Sequence, residues 1–116
     1  MTDFNLNGLR FSPVSNSDGG RVNKDAVFHY SQTGVEFEAH YGGSGFSDGH
    51  LIGRFTDDTH ADLVYHCRED ATHALEVGQA KAKFTRDTEG VIHIHMDWQW
   101  LNLSKSSGQS HYVEVP

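Results

Sequence analysis

Residues Val91 to Trp100 read V-I-H-I-H-M-D-W-Q-W, an unbroken alternation of apolar and polar positions. A period of two is the signature of a strand with one buried face. Ile92, Ile94, Met96, Trp98 and Trp100 share one side, and His93, His95, Asp97 and Gln99 share the other. The pattern predicts tryptophans turned inward and histidines turned to water.

The same period recurs along the chain, punctuated by turn residues. Arg10 to Val14 is the first predicted strand, and Ser15 to Lys24 follows as a polar loop with a glycine pair. Ala26 to Gln32 is the second, with Phe28 and Tyr30 on one side, and Thr33-Gly34 predicts a tight hairpin turn. In Val35 to Tyr41 the residues Val35, Phe37, Ala39 and Tyr41 are expected inward against Glu36, Glu38 and His40. Gly42 to Gly49 reads as a flexible hairpin loop, Gly49 to Thr56 as a fourth strand, and the D-D-T-H run after it as a turn. Ala61, Leu63, Tyr65 and Cys67 share a face of the fifth strand, Ala61 to Arg68. Leu75 to Thr85 has the Ala and Lys content of a short helix, but the alternation of Gly78, Ala80, Ala82 and Phe84 favours a strand. Arg86 to Gly90 turns into the 91–100 strand, and Ser104 to Gly108 turns into the last, Gln109 to Val115.

Eight strands joined by short connections predict an all-β, antiparallel up-and-down meander. Such a meander leaves two bare edges unless it curls shut, so a closed or nearly closed barrel, similar in outline to the calycin-type barrels, is expected. A sandwich and an open curved sheet are the alternatives. Residues 1–9 are expected to be a flexible N-terminal segment and residues 10–116 a single domain.

Several blocks resemble a family of small bacterial proteins that carry the label N-acetylglutamate synthase. They are Phe11-Ser12-Pro13-Val14-Ser15-Asn16-Ser17, Val27-Phe28-His29-Tyr30, Gly49-His50-Leu51-Ile52-Gly53, Tyr65-His66 and Trp98-Gln99-Trp100. That label implies an acetyltransferase, whose cofactor pyrophosphate would be held by a glycine-rich loop opening a helix. The glycine-rich run here, Gly42 to Gly49, lies between two strands.

A net charge of −7 opposes attraction to nucleic acid and to anionic membranes, although nine histidines would offset it in mild acid. Cys67 is the single cysteine, which excludes an intramolecular disulfide, and the first residues lack the basic and apolar regions of a signal peptide. A cytoplasmic setting is therefore the expectation.

Candidate chemistry falls on the two faces separately. Trp98 and Trp100, joined by Tyr30, Tyr41, Tyr65 and Phe28, would line a barrel interior able to bind a small apolar or aromatic ligand, with tyrosine hydroxyls orienting it. As simple core packing they need no ligand. His93 and His95 sit about 7 Å apart on one strand face. They are the candidate metal ligands, with His40, Glu38 and His111 as possible partners that spacing does not assign. Cys67 faces away from His66 and reads as a buried, inert thiol. Asp57, Asp58, His60 and Asp62 read as a solvated turn, and Ser15, Ser17, Ser44, Ser47 and Ser106 lie outside any nucleophile-elbow context.

The favoured function is non-catalytic small-ligand binding without a cofactor. The alternatives are a packed structural protein self-associating through a strand edge or a histidine-rich face, with a homodimer as one form, and an enzyme, either metal-assisted through His93 and His95 or an acetyltransferase.

Overall fold

The structure is a computed structural model describing residues 2–16, 26–43, 45–102 and 106–116. Eight strands follow one another: β1 (Arg10–Asn16), β2 (Val27–Thr33), β3 (Glu36–Gly43), β4 (Phe46–Phe55), β5 (His60–Glu69), β6 (Leu75–Arg86), β7 (Ile92–Trp100) and β8 (Ser107–Val115). Each pairs antiparallel with its neighbours in the chain, and β1 pairs with β8 to close the barrel. The β1–β2 seam is the shortest, with Arg10 opposite His29 and Phe11 opposite Phe28.

The wall is shaped by residue size across facing strands. Gly78, Ala80 and Ala82 on β6 stand directly opposite Trp100, Trp98 and Met96 on β7. Small residues on one strand thus make room for the largest on the next. Three inward glycines serve the same end: a Cβ at Gly49, Gly53 or Gly78 would overlap the ring of Tyr41, Phe37 or Tyr65, each the glycine's direct cross-strand partner. Each ring therefore lies flat against the wall where its partner has no side chain.

Two sequence expectations are corrected. Val35 does not point inward: it sits with Gly34 in a two-residue turn and is exposed, and the φ of +63° at Gly34 is the conformation that glycine supplies at the first turn position. Most of Gly42 to Gly49 is strand rather than loop, because β3 continues to Gly43 and β4 begins at Phe46. A bulge between Ser47 and His50, with Asp48 at φ 54°, absorbs the irregular register. Ser17 and most of the Ser15 to Lys24 loop lie outside the described residues, as do Ser44, Ser104 and Lys105.

Residues 2–9 cross the barrel end that carries the β2–β3, β4–β5 and β6–β7 turns. Leu6 is fully buried and Phe4 packs against Phe55 and Phe84, with the Arg86 guanidinium 4.4 Å from the Phe4 ring. Gln32 fixes this crossing. Its Oε1 accepts from the Leu6 N–H at 2.8 Å, and its Nε2 donates to the Phe4 and Gly34 carbonyls at 3.0 and 2.9 Å. With Phe11, Phe37, Phe55, Phe84, Ile92 and Ile94 also buried, this end of the barrel is packed with hydrocarbon.

Candidate functional site

The polar groups inside the barrel gather toward the opposite end. Tyr65 meets Trp100 edge to face, with ring centroids 5.0 Å apart, and its hydroxyl donates to the Gln99 carbonyl at 3.2 Å. Tyr41 stacks on Phe28 at 4.3 Å and donates to the His66 carbonyl at 3.3 Å. Phe28 in turn meets Tyr112 at 5.1 Å.

Burial raises the hydroxyl pKa of Tyr41 and Tyr65 well above the usual phenol value, and neighbouring Cys67 and Tyr112 push in the same direction. Tyr112 is pushed up to about 12 by burial. All three hydroxyls stay protonated at neutral pH, so they act as neutral donors and acceptors.

Trp98 and Trp100 are 7% and 4% exposed, and neither indole N–H has an acceptor among the described residues. Buried donors are almost always bonded in folded proteins, so two such groups on one strand face call for a partner. Two residues along β6 from Gly78, the cross-strand partner of Trp100, Glu76 is 1% exposed and is the one buried carboxylate among the described residues. Cys67 stands directly across from it on β5.

The sequence-predicted aromatics all face inward, yet they divide between two regions. Trp100 with Tyr65, and Phe28 with Tyr41, belong to this polar end; Tyr30 packs instead between Phe11 and Phe37, at 5.1 and 6.0 Å. Glu76, Ser110 and Tyr112 escaped the sequence reading. The signal was present: Glu76 extends the alternation of Gly78, Ala80 and Ala82 by one step, and Ser110 and Tyr112 alternate along β8.

The outer surface is organised in cross-strand rows. One row runs Glu36, Arg54, Asp62, Lys81, Asp97, Gln109 from β3 to β8. Its charges alternate in sign, with Lys81 Nζ 3.3 Å from Asp62 Oδ1 and Gln109 Nε2 donating to Asp97 Oδ1 at 2.9 Å. The next row holds Glu38, Ile52, Val64, Gln79 and Gln99. Apart from Gln109, the residues of the two rows line a shallow outer concavity of about 1050 Å³.

His93 and His95 lie on the outward side, as the alternation requires, and His111 on β8 stands between them. His93 Nδ1 is 2.7 Å from His111 Nε2, and the His95 ring stacks on His111 at 4.4 Å. The other His93 nitrogen bonds Asp87 at 3.0 Å, which holds the Asp87 carboxyl below its usual range. Burial first, then the nearby His95 and His93, lower the pKa of His111. Both ring nitrogens of His93 are thus committed within the protein.

Fold and interior together define a class: a closed eight-stranded antiparallel barrel with an aromatic and polar interior at one end. The chain belongs to the avidin-like protein family, which it matches over residues 4–115. No curated protein and no solved structure matches it.

Proposed function

We propose that the polar end of the barrel is a non-catalytic binding site for a small, partly apolar ligand. The observation that carries this reading is the pair of buried indole N–H groups on Trp98 and Trp100 without acceptors among the described residues. A ligand supplying acceptor atoms would complete them, while its apolar part would pack on the rings of Tyr65, Tyr41 and Phe28. The Glu76 carboxyl faces the same interior and suits a ligand N–H. Membership of a family whose fold holds small ligands, biotin among them, supports the reading.

Calorimetric titration with biotin and a panel of small neutral cyclic ureas and lactams is the test. The expected result is one site per chain for at least one compound, weakened by Trp100→Phe and by Glu76→Gln. A panel that gives no binding, or a compound whose affinity ignores both substitutions, counts against an interior site.

A second reading rests on the outer concavity. Ile52 and Val64 are 51% and 47% exposed and adjacent across β4 and β5, bordered by the row of alternating charges. An apolar pair beside opposite charges is self-complementary, which suits a second copy of this chain. Sedimentation of wild type against Val64→Glu tests it: a dimer dispersed by the substitution is expected, and a wild-type monomer at high concentration contradicts it.

A further inference from the structure

One outer row gathers histidines from four strands. Cross-strand register aligns His29, His40, His50 and His66 on four consecutive strands, β2 to β5. The His40 and His50 rings stack with centroids 4.5 Å apart, and His66 meets His50 edge to face at 5.4 Å. Glu38 precedes His40 by two residues on the same outward face. Its Oε1 lies 3.8 Å from His40 Nε2 and its Oε2 3.6 Å from His50 Nε2. Where neighbouring rows alternate charge or pack apolar groups, this one lines up groups of a single kind, which repel when protonated.

We propose that Glu38, His40 and His50 form a surface site for a divalent transition-metal ion of the zinc, nickel or copper class. One ligand atom from each lies within 4.8 Å of the other two. Two imidazoles and a carboxylate are the donor set such ions favour, whereas magnesium and calcium require oxygen. A zinc ion at about 2.0–2.1 Å from each donor needs the three drawn somewhat closer. The exposed side chains of Glu38 and His40 are free to rotate inward, and the half-buried His50, 27% exposed, anchors them. Three protein ligands would leave a fourth position for water, and His66 lies against His50, with ring centroids 5.4 Å apart. No other group of this kind is found among the described residues, so the ion is assigned away from His93 and His95.

The test uses the tag-free, metal-stripped protein, titrated with zinc chloride by calorimetry at about pH 7.5. One saturable equivalent is expected, with affinity lowered about 10- to 100-fold or more by His50→Ala and by Glu38→Gln and unchanged by His111→Ala. His40→Ala, at a freely exposed position, repeats the test should His50→Ala fail to fold. The proposal is overturned if wild type shows no saturable equivalent, if His40→Ala and Glu38→Gln bind as wild type does, or if His111→Ala abolishes binding.

Discussion

Tyr65 lies flat over Gly78, its cross-strand partner, and reaches past it to donate a hydrogen bond to the Gln99 carbonyl. The glycine is the reason the ring can lie there: any Cβ at position 78 would overlap it. Gly78→Ala is therefore expected to destabilise the protein by about 1–3 kcal/mol, the usual cost of forcing extra volume into a packed interior. Tyr65→Ala should relieve most of that cost. Urea denaturation of the two single variants and the double variant checks the coupling, and additive effects would contradict it.

The crossing at the hydrocarbon end makes a separate prediction. Leu6 is fully buried and its backbone is held by Gln32. Leu6→Ala should cost about 2–5 kcal/mol, as for other buried leucines, read as a lowered midpoint in thermal or urea unfolding. A change near zero would mean that residues 2–9 do not pack in solution as described.

The row on β7 and β8 predicts a pH response. His111 has a lowered pKa in the folded state, caused first by burial and then by His95 and His93. Lys83, opposite His95, adds a further positive charge to the same row, while Asp87 pairs with His93. A depressed histidine pKa means the unfolded chain takes up the proton first, so this contribution is present above about pH 6.5 and is lost as pH falls below it. Unfolding free energy measured from pH 7.5 down to pH 5 should fall less steeply in His111→Asn than in wild type. Equal slopes would refute the assignment.

The outer charge ladder should contribute little by comparison. Lys81 and Asp62 are both exposed, and such pairs are worth about 0–1 kcal/mol. Lys81→Ala is expected to leave the thermal midpoint nearly unchanged, and a large loss would show that the row does more than border the concavity.

Much of this architecture was legible because period two, read strand by strand, separates inside from outside. The I-H-I-H-M-D-W-Q-W segment alone sorted Trp98 and Trp100 from His93 and His95. Alternation carries no register, however. It could not show that Gly78 faces Trp100, or that His40, His50 and Glu38, drawn from two strands, meet at one point. Val35 failed for a local reason: the two-residue turn needs Gly34 at its first position, which leaves Val35 as the second turn residue despite its apolar side chain. Tyr30 shows the remaining gap, since facing inward does not say at which end of a barrel a ring will lie.

The central claim, that a small ligand occupies the polar end of the barrel, is tested most directly by following the two indole N–H resonances in a nitrogen-15 correlation spectrum as ligand is added. The account predicts that a ligand found by calorimetry shifts the Trp98 and Trp100 indole signals while the amides of Ile52 and Val64 on the outer face stay in place. Unmoved indole signals with shifts confined to the outer face would contradict it.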